Sequence, residues 1–514
     1  MNVVNGSVMR GRNATMGTVT IGTVTMGSRN RCLWAAGLLL LAGGPGSVSP
    51  GGSGAVAAPP DRPNIVLMLA DDQGWDGLSV AMAPDIDGSR STLFQTPRLE
   101  AFAHQGMRFT DAYAPAPVCS PSRISIQCGR TPAALHWTKA APPETGHRLI
   151  EPRDIRDIPA AAVTVGDVLR RAGHATAHYG KWHIGGGGPG ANGYDEHDGD
   201  VGNEQAYRFT DPNPVDIFGM AERAEVFMRK ARDAGQPFYV QLSWNALHAP
   251  ENALEATKRK YAATDGASRQ VERAAITEDL DTGVGRVLDA IDRLGLAGTT
   301  FVIYTSDNGS GGGGGGRRVG LTGGKGSVWE GGIRVPFIVR GPGVKPDSFC
   351  RVPVVGWDLF PTFCQWAGVP AEQLPAGLEG GSIATLLAQG GTGTVSRRLD
   401  GMVFHFPHYQ SGHTPHAAIR VGDMKLMEFF EDGSTKLFDL SRDPGERQDL
   451  APARPDVARD LRQRLDRYLA AVDARMPTPN RDFDPAAPPP RKQGGRRGPN
   501  GGGAKGNGKG KGAT

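Results

Sequence analysis

The residues of this chain that can do chemistry are two oxygen-donor pairs, a cysteine in a short patterned segment, three cations and two histidines. Asp71-Asp72 and Asp307-Asn308 are hard oxygen donors. Such a set suits Ca²⁺ or Mg²⁺ better than zinc. Each pair taken alone would serve equally well as a turn or helix cap, since Gly74 and Gly309 lie close by. The most specific segment is Cys119-Ser120-Pro121-Ser122-Arg123, continuing to Gly129-Arg130. Pro121 stands near the start of an apolar-periodic stretch, Ile124, Ile126 and Cys128, and so marks a helix N-terminus. A group placed there faces free backbone N–H groups and the positive end of the helix dipole, which makes an anion site. Arg123, four residues after Cys119, returns to the same side and adds a positive charge. Lys181, His183, His248 and Lys325 supply cations and proton carriers. A lone histidine is ordinarily a satisfied structural one, and a lone lysine a surface one. These four acquire meaning only from the elements that place them.

Four short apolar runs do the placing. Asn64–Ala70 leads into Asp71-Asp72, Ala175–Tyr179 into Gly180-Lys181-Trp182-His183, Phe238–Ser243 into Asn245 and His248, and Phe301–Thr305 into Asp307-Asn308. Continuous apolar runs of this length with helical patterns between them read as buried strands of a largely parallel sheet. Ligands bind outside the carboxyl ends of such strands. One run ending in a polar residue is unremarkable; four that all end in site-type residues point to a catalytic edge. Further on, Val457, Leu461, Leu465, Tyr468 and Val472 form an apolar helical stripe with Pro455 at its start.

The chain has 514 residues and a formal net charge of +4, with 39% hydrophobic and 21% charged residues. That composition excludes a coiled coil, a collagen and a wholly disordered chain. The first 60 residues hold four arginines and no acid, and Arg491–Thr514 holds seven cations and no acid, so residues 61–490 carry −7. An acidic body argues against a nucleic-acid partner. Arg29 and Arg31 precede the apolar run Cys32–Ala42, and Ala55-Val56-Ala57 offers a small-residue cleavage site. Residues 1–57 therefore read as a signal peptide with an N-terminal extension. The apolar run is too short for a bilayer span, so no stable membrane anchor is expected and the mature protein is periplasmic or secreted. Asp482–Thr514, rich in Pro, Gly, Lys and Arg, reads as a disordered basic tail, and Gly311–Gly316 as a flexible loop. Five cysteines are too few for a disulfide scaffold; spacing leaves open whether Cys350 and Cys364 pair.

With these residues in place, a family resemblance is visible over most of the chain. Cys119-Ser120-Pro121-Ser122-Arg123 followed by Gly129-Arg130 resembles the motif of the type I, formylglycine-dependent sulfatases of the alkaline-phosphatase-like superfamily. Thr96–Leu99 through Phe109–Tyr113 resembles the stretch before it, Gly180–Gly185 the family's second motif, and Asn245–His248 its further histidine loop. Asp307-Asn308-Gly309, Gly324-Lys325-Gly326 and Glu330–Pro336 are similar to the third block. Ala418–Arg420, Lys425-Leu426, Leu437–Leu440 and Asp443–Glu446 resemble the C-terminal strands. Two departures stand out: Cys128 where the family often has Thr, which is expected to be a buried small side chain, and the Gly311–Gly316 run.

The resemblance implies an α/β fold: a large mixed, mostly parallel sheet flanked by helices over residues 60–395, and a smaller α+β subdomain of antiparallel strands and one helix over 400–476. It implies that Cys119 is oxidised to Cα-formylglycine by a formylglycine-generating or sulfatase-maturating enzyme, and that the hydrate is the nucleophile. Asp71, Asp72, Asp307 and Asn308, with residue 119, would hold Ca²⁺, with Mg²⁺ the alternative. Arg123 and Lys181 would stabilise the hydrate, His248 and Lys325 would bind the sulfate and help protonate the leaving alcohol, and His183 would act as base when sulfate departs. The substrate it implies is a sulfated small molecule or glycan. A phosphonate or phosphate monoester hydrolase of the same superfamily is the nearest rival, and a non-catalytic glycan-binding relative the other. Phe404–His408 is placed near the pocket rim, its role open.

Overall fold

The computed structural model describes residues 61–262, 268–311 and 320–486. The apolar leader, most of the Gly311–Gly316 run and residues 487–514 of the basic tail lie outside the described residues.

Strand β1 (Asn64–Ala70) is the centre of an eight-stranded sheet. Its neighbours are β7 (Phe238–Ser243) and β8 (Thr300–Ser306), both parallel to it. Beyond β7 come β5 (Ala175–Gly180) and β6 (Glu196–His197), again parallel. Beyond β8 the sheet turns mixed: β9 (Phe337–Arg340) is antiparallel to β8 and to β2 (Met107–Phe109), and β2 pairs in parallel with β10 (Ser348–Cys350). Every residue of β1, β7 and β8 is buried, as their uninterrupted apolar runs require of strands covered on both faces.

Alternate side chains of β1 feed two cores. Val66, Met68 and Ala70 pack with α1 (Pro97–His104), α4 (Ile217–Asp233) and α6 (Ser268–Arg293). Ile65, Leu67 and Leu69 pack with α2 (Cys119–Cys128), α3 (Val165–Arg171), α8 (Leu359–Trp366) and α9 (Ala384–Ala388). The second core also takes Cys128, Cys350 and Cys364; Cys128 is the buried small side chain expected, and all three are free thiols.

A second, four-stranded antiparallel sheet follows in the order β12 (Met402–Phe406), β13 (His416–Val421), β14 (Met424–Phe429), β15 (Thr435–Asp439). One face receives α10 (Pro455–Ala471) through Leu461, Leu465, Tyr468 and Leu469. The opposite face packs on Tyr113, Val118 and Val328, close in sequence to Cys119 and Lys325. Phe404 and Phe406 belong to that inner core rather than to an exposed rim. Two short ladders, β3 (Ala112–Tyr113) with β11 (Val354–Val355) and β4 (Leu149–Ile150) with β16 (Thr478–Pro479), complete the strands. The short α5 (Glu255–Ala262) and the single turn α7 (Glu330–Ile333) complete the helices.

Candidate active site

The register of the central strands sets the first ligands side by side. Ala70 pairs with Ser306, so Asp71 and Asp307 leave the sheet at the same height. The Asp307 N–H donates to Ala70 O at 3.1 Å, and the Asp71 N–H to Ala246 O at 2.9 Å. Asp72 then adopts φ 61°, a left-handed conformation costly for a non-glycine residue. Arg273 of α6 secures that turn by donating to the carbonyls of Asp72 and Leu247. Nothing in the sequence pattern of the long helix distinguishes Arg273, and sequence reasoning passed it over.

Helix α2 begins at Cys119, with Val118 extended before it and Gly129 left-handed after it at φ 63°. A Cβ on Gly129 would lie 2.7 Å from Leu378, so that position accepts only glycine without rearrangement. All ten helix residues are buried, and Cys119 is only 2% exposed. The Cys119 thiol lies 3.4 Å from Asp71 Oδ1 and 3.3 Å from Lys325 Nζ. One helical turn on, Arg123 reaches Asp307 Oδ2 through Nε at 2.9 Å and Nη2 at 2.7 Å, and Asp71 Oδ2 through Nη2 at 3.5 Å. Its Nη1 donates to Lys181 O at 2.6 Å.

Lys181 follows β5 and is fully buried, its ammonium paired with Asp71. Lys325 Nζ lies 2.6 Å from Asp72 Oδ1, and Asn308 Nδ2 donates to the same oxygen at 2.7 Å. His183, itself left-handed at φ 60°, meets Ser120 Oγ through Nδ1 at 3.3 Å, a partner the sequence did not disclose. His248 is half-buried, and its Nδ1 donates to Ala249 O at 2.7 Å, so Nε2 is the ring nitrogen not engaged by that bond. Thus the five candidate metal-holding residues and the cations meet at one edge of the sheet, with the two histidines beside them.

The donor set fits a divalent cation. One ligand atom each of Asp71, Asp72, Cys119 and Asp307 all lie within 4.8 Å of one another. Among the described residues the buried Asn308 Oδ1 has no hydrogen-bond partner, a costly omission that coordination would repair. The carboxylates compete for the nearby cations. Burial pushes the Asp71 carboxyl up, but Lys181, His248, Arg123 and Lys325 outweigh it and hold Asp71 well below the usual range. Burial, reinforced by the Asp71 charge, pushes Asp307 up to about 6 despite Arg123. Burial, then Asp71, pushes the Cys119 thiol up to about 12, so the unmodified side chain is a neutral thiol at neutral pH and a poor nucleophile. Burial, helped by Lys181 and Arg123, brings His183 down to about 3. Burial likewise lowers His248. Lys325 goes the other way: burial disfavours its charge, but Asp72, Cys119, Asp71 and Asp307 raise it and keep it cationic.

A second buried charge cluster lies behind the loop of Lys325. Glu330, at the start of α7, accepts from Lys425 at 2.9 Å and from Tyr113 OH at 2.8 Å. Lys425 also lies 2.8 Å from Glu446, and Arg420 and Arg334 lie 2.8 and 3.3 Å from Asp111. The motif segments Glu330–Pro336, Lys425-Leu426 and Asp443–Glu446 meet here, although the sequence reading gave them no role. His408 sits in a further buried group with Glu151 at 2.8 Å and Thr138 at 2.7 Å, as a satisfied structural histidine.

The Sulfatase family model matches residues 63–369, and the model described as N-sulphoglucosamine sulphohydrolase, C-terminal, matches residues 324–471. Arylsulfatase A of Homo sapiens is 30% identical over 489 residues, covering 82% of this chain and 89% of that protein. N-acetylgalactosamine-6-sulfatase of Sus scrofa is 30% identical over 364 residues, covering 63% and 66%. Among solved structures, Ps i-CgsB in complex with k-i-k-neocarrahexaose shares the fold with a TM-score of 0.65 and 24% identity, over 79% of this chain and 93% of that one. The chain belongs to the sulfatase family and is a sulfuric ester hydrolase.

Proposed function

We propose that this sulfuric ester hydrolase is an exported enzyme that cleaves a carbohydrate sulfate ester through a formylglycine formed from Cys119. The observation that carries the reading is the meeting of Asp71, Asp72, Cys119 and Asp307 within 4.8 Å, ringed by Arg123, Lys181 and Lys325. Asp71, Asp72, Asp307 and Asn308 would hold the divalent cation, Ca²⁺ with Mg²⁺ as the alternative. When bound, that cation supplies Lewis acidity to side chain 119 and to the ester oxygens.

The chain's own residues divide the remaining work. A sulfate ester is an anion, and an approaching oxygen nucleophile is repelled by it. Lys181 and Arg123, both buried, and Lys325, held against Asp72, offset that repulsion with charges that are already oriented, so little reorganisation is needed as charge shifts. Lys325 stays cationic and binds rather than donates its proton. The proton for the leaving alcohol comes from His248, whose charged form is favoured once an anionic ester lies against it. His183 is neutral at neutral pH and hydrogen-bonded to Ser120, and it takes the proton in the step that releases sulfate.

With Cys119 only 2% exposed, an oxidising partner cannot reach the thiol in the finished fold. The formylglycine-generating or sulfatase-maturating enzyme therefore acts before the domain closes. The carbohydrate substrate is supported by the sugar named in the N-acetylgalactosamine-6-sulfatase relatives. Export is supported by the apolar run Cys32–Ala42 and its small-residue site. No helix among the described residues is long and apolar enough to cross a membrane.

Mass spectrometry of the Cys119 peptide, from protein made with a maturating enzyme, is expected to show the thiol sulfur replaced by an aldehyde oxygen. An intact thiol in fully active protein overturns the reading. Paired assays on an aryl sulfate and the matching aryl phosphate are expected to favour the sulfate; the reverse order identifies a phosphate or phosphonate ester hydrolase.

A further inference from the structure

The cluster behind the Lys325 loop is expensive. Asp111, Glu330 and Glu446 face Arg334, Arg420 and Lys425, and the side chains of Glu330, Glu446 and Lys425 are fully buried. A fold that needed only cohesion here would do as well with apolar residues of the same volume, because desolvation cancels much of the attraction in a buried ion pair. What such a network provides is fixed geometry, provided its members are satisfied.

Glu330 is gripped at both ends of its residue. Its N–H donates to Glu446 Oε2 at 2.7 Å, and its carboxylate takes Lys425 at 2.9 Å and Tyr113 OH at 2.8 Å. Lys425 closes the ring at 2.8 Å from Glu446 Oε1. Three separate segments, β3, β14 and the loop at 446, thus fix one residue at the head of α7.

Short backbone links run from that residue toward the site. The Gly331 N–H donates to Thr322 O at 2.8 Å, and Thr322 Oγ1 to Gly445 O at 2.7 Å, beside Glu446. Between Thr322 and Glu330 lies the loop of Lys325. The Lys325 N–H donates to Ser310 O at 3.0 Å and the Gly326 N–H to Pro117 O at 2.9 Å, so the loop bridges the metal-side turn and the approach to Cys119. The adjoining glycines leave it no slack: a Cβ on Gly331 would lie 2.7 Å from Thr322 O, and one on Gly332 1.9 Å from Ser327 O.

We propose that Glu330, held by Lys425 and Glu446, is a positioning residue that fixes the Lys325 ammonium against Cys119 and Asp72. This rests on the reading of Lys325 as a sulfate-binding cation. Glu330 itself touches neither Cys119 nor the carboxylates of the site, and its effect on turnover passes through Lys325.

The test is a double-mutant cycle of Glu330→Gln and Lys325→Ala on the full-length matured enzyme, with an aryl sulfate as substrate. Glu330→Gln keeps the shape and a hydrogen-bonding side chain. It is expected to lower kcat/KM about 10²-fold, the cost of a misplaced catalytic group. In the Lys325→Ala background the same change is expected to cost less than about threefold. Calorimetric binding of inorganic sulfate gives a readout independent of turnover, and Glu330→Gln and Lys325→Ala are expected to weaken it alike. Should Glu330→Gln fail to fold, Lys425→Arg, which retains the charge that holds Glu330, is expected to keep more kcat than Lys425→Gln. Additive losses in the cycle, or unchanged sulfate affinity in Glu330→Gln beside a weakened Lys325→Ala, overturn the positioning role alone. A harmless Lys325→Ala overturns both this role and the reading of Lys325 beneath it.

Discussion

Two regions of this molecule bury the same inventory of charge and use it differently. At the catalytic edge, Asp71, Asp72 and Asp307 stand against Arg123, Lys181 and Lys325; under the small sheet, Asp111, Glu330 and Glu446 stand against Arg334, Arg420 and Lys425. Each cluster also has one acid that burial pushes up, Asp307 to about 6 and Glu446 to about 7, with a neighbouring carboxylate adding to it. The difference lies in convergence and access. At the edge, oxygens of three acids crowd within 4.8 Å of one another and of the Cys119 sulfur, and Asn308 Oδ1 has no partner among the described residues. Lys325 keeps 19% of its side chain exposed and both histidines are half-buried. Under the sheet, cations stand between the acids, with Lys425 bridging Glu330 and Glu446 and with Arg334 and Arg420 flanking Asp111, and Glu330, Glu446 and Lys425 are sealed from solvent. Like charges held together invite a cation and a substrate, whereas charges paired off hold a backbone in place. Charge count alone separates neither.

That contrast is broken or sharpened by substitution. The largest effect belongs to Cys119→Ala, which is expected to cut turnover by about 10⁴-fold or more while the melting temperature stays near that of the parent. Cys119→Ser is expected to be similarly inactive; a serine variant with near-parental rates removes the aldehyde from the proposal. Chelation comes next: metal-free protein is expected to lose activity and to regain it with Ca²⁺ or Mg²⁺. Full activity after exhaustive removal of metal refutes the metal assignment, and recovery with zinc alone points to a phosphatase-like centre.

A smaller effect concerns pH. Asp307 titrates at about 6 in the fold against 3.8 for an ordinary aspartate, because burial and then the Asp71 charge disfavour its ionised form. The folded protein therefore holds this proton more tightly than the unfolded chain. The stability gained is complete below the unfolded value and is lost as pH rises through about 6. A bound divalent cation compensates the charge. Scanning calorimetry is thus expected to show the gap between Ca²⁺-loaded and metal-free protein widening from about pH 4 to about pH 7. A gap that is constant over that range contradicts the crowding of carboxylates at the edge.

The other face of the small sheet tests the opposite expectation. Leu465 is fully buried between α10 and the strands, far along the chain from any proposed site residue. Leu465→Ala is expected to lower stability by about 2–4 kcal/mol, read by denaturant titration, with kcat nearly unchanged. A matching loss of kcat means that α10 also communicates with the edge. Smallest of all is removal of residues 487–514, which carry no apolar periodicity and are expected to leave both melting temperature and aryl sulfate turnover almost unaltered.

Much of the site is legible in the sequence. Strands β1 and β7 begin and end where their apolar runs do, and β5 and β8 extend those runs by one residue or one at each end. The segment from Cys119 to Cys128 is the helix that Pro121 and the apolar spacing announce. The α10 stripe buries Leu461, Leu465 and Tyr468 as read, with Val457 and Val472 only partly covered at its ends. These features are local: an apolar run, a proline and a glycine act on the backbone within a few residues of themselves.

What tertiary structure decided is which of these ends meet. Asp71 and Asp307 are adjacent because β1 and β8 pair in one register, and a slip of one residue would separate them. Asp72 and His183 are turned into the site by left-handed residues whose side chains carry no signal for that conformation. Arg273 and Glu330 reach their partners from a long helix and a single turn, across 201 and 95 residues of chain. The sequence by itself determined the family, the strands and the donor types, because these depend on residue identity and short spacing. The convergence of the donors, and the separation of the charges that bind from the charges that brace, arise only when crossovers bring distant segments into contact, and no periodicity along the chain encodes that distance.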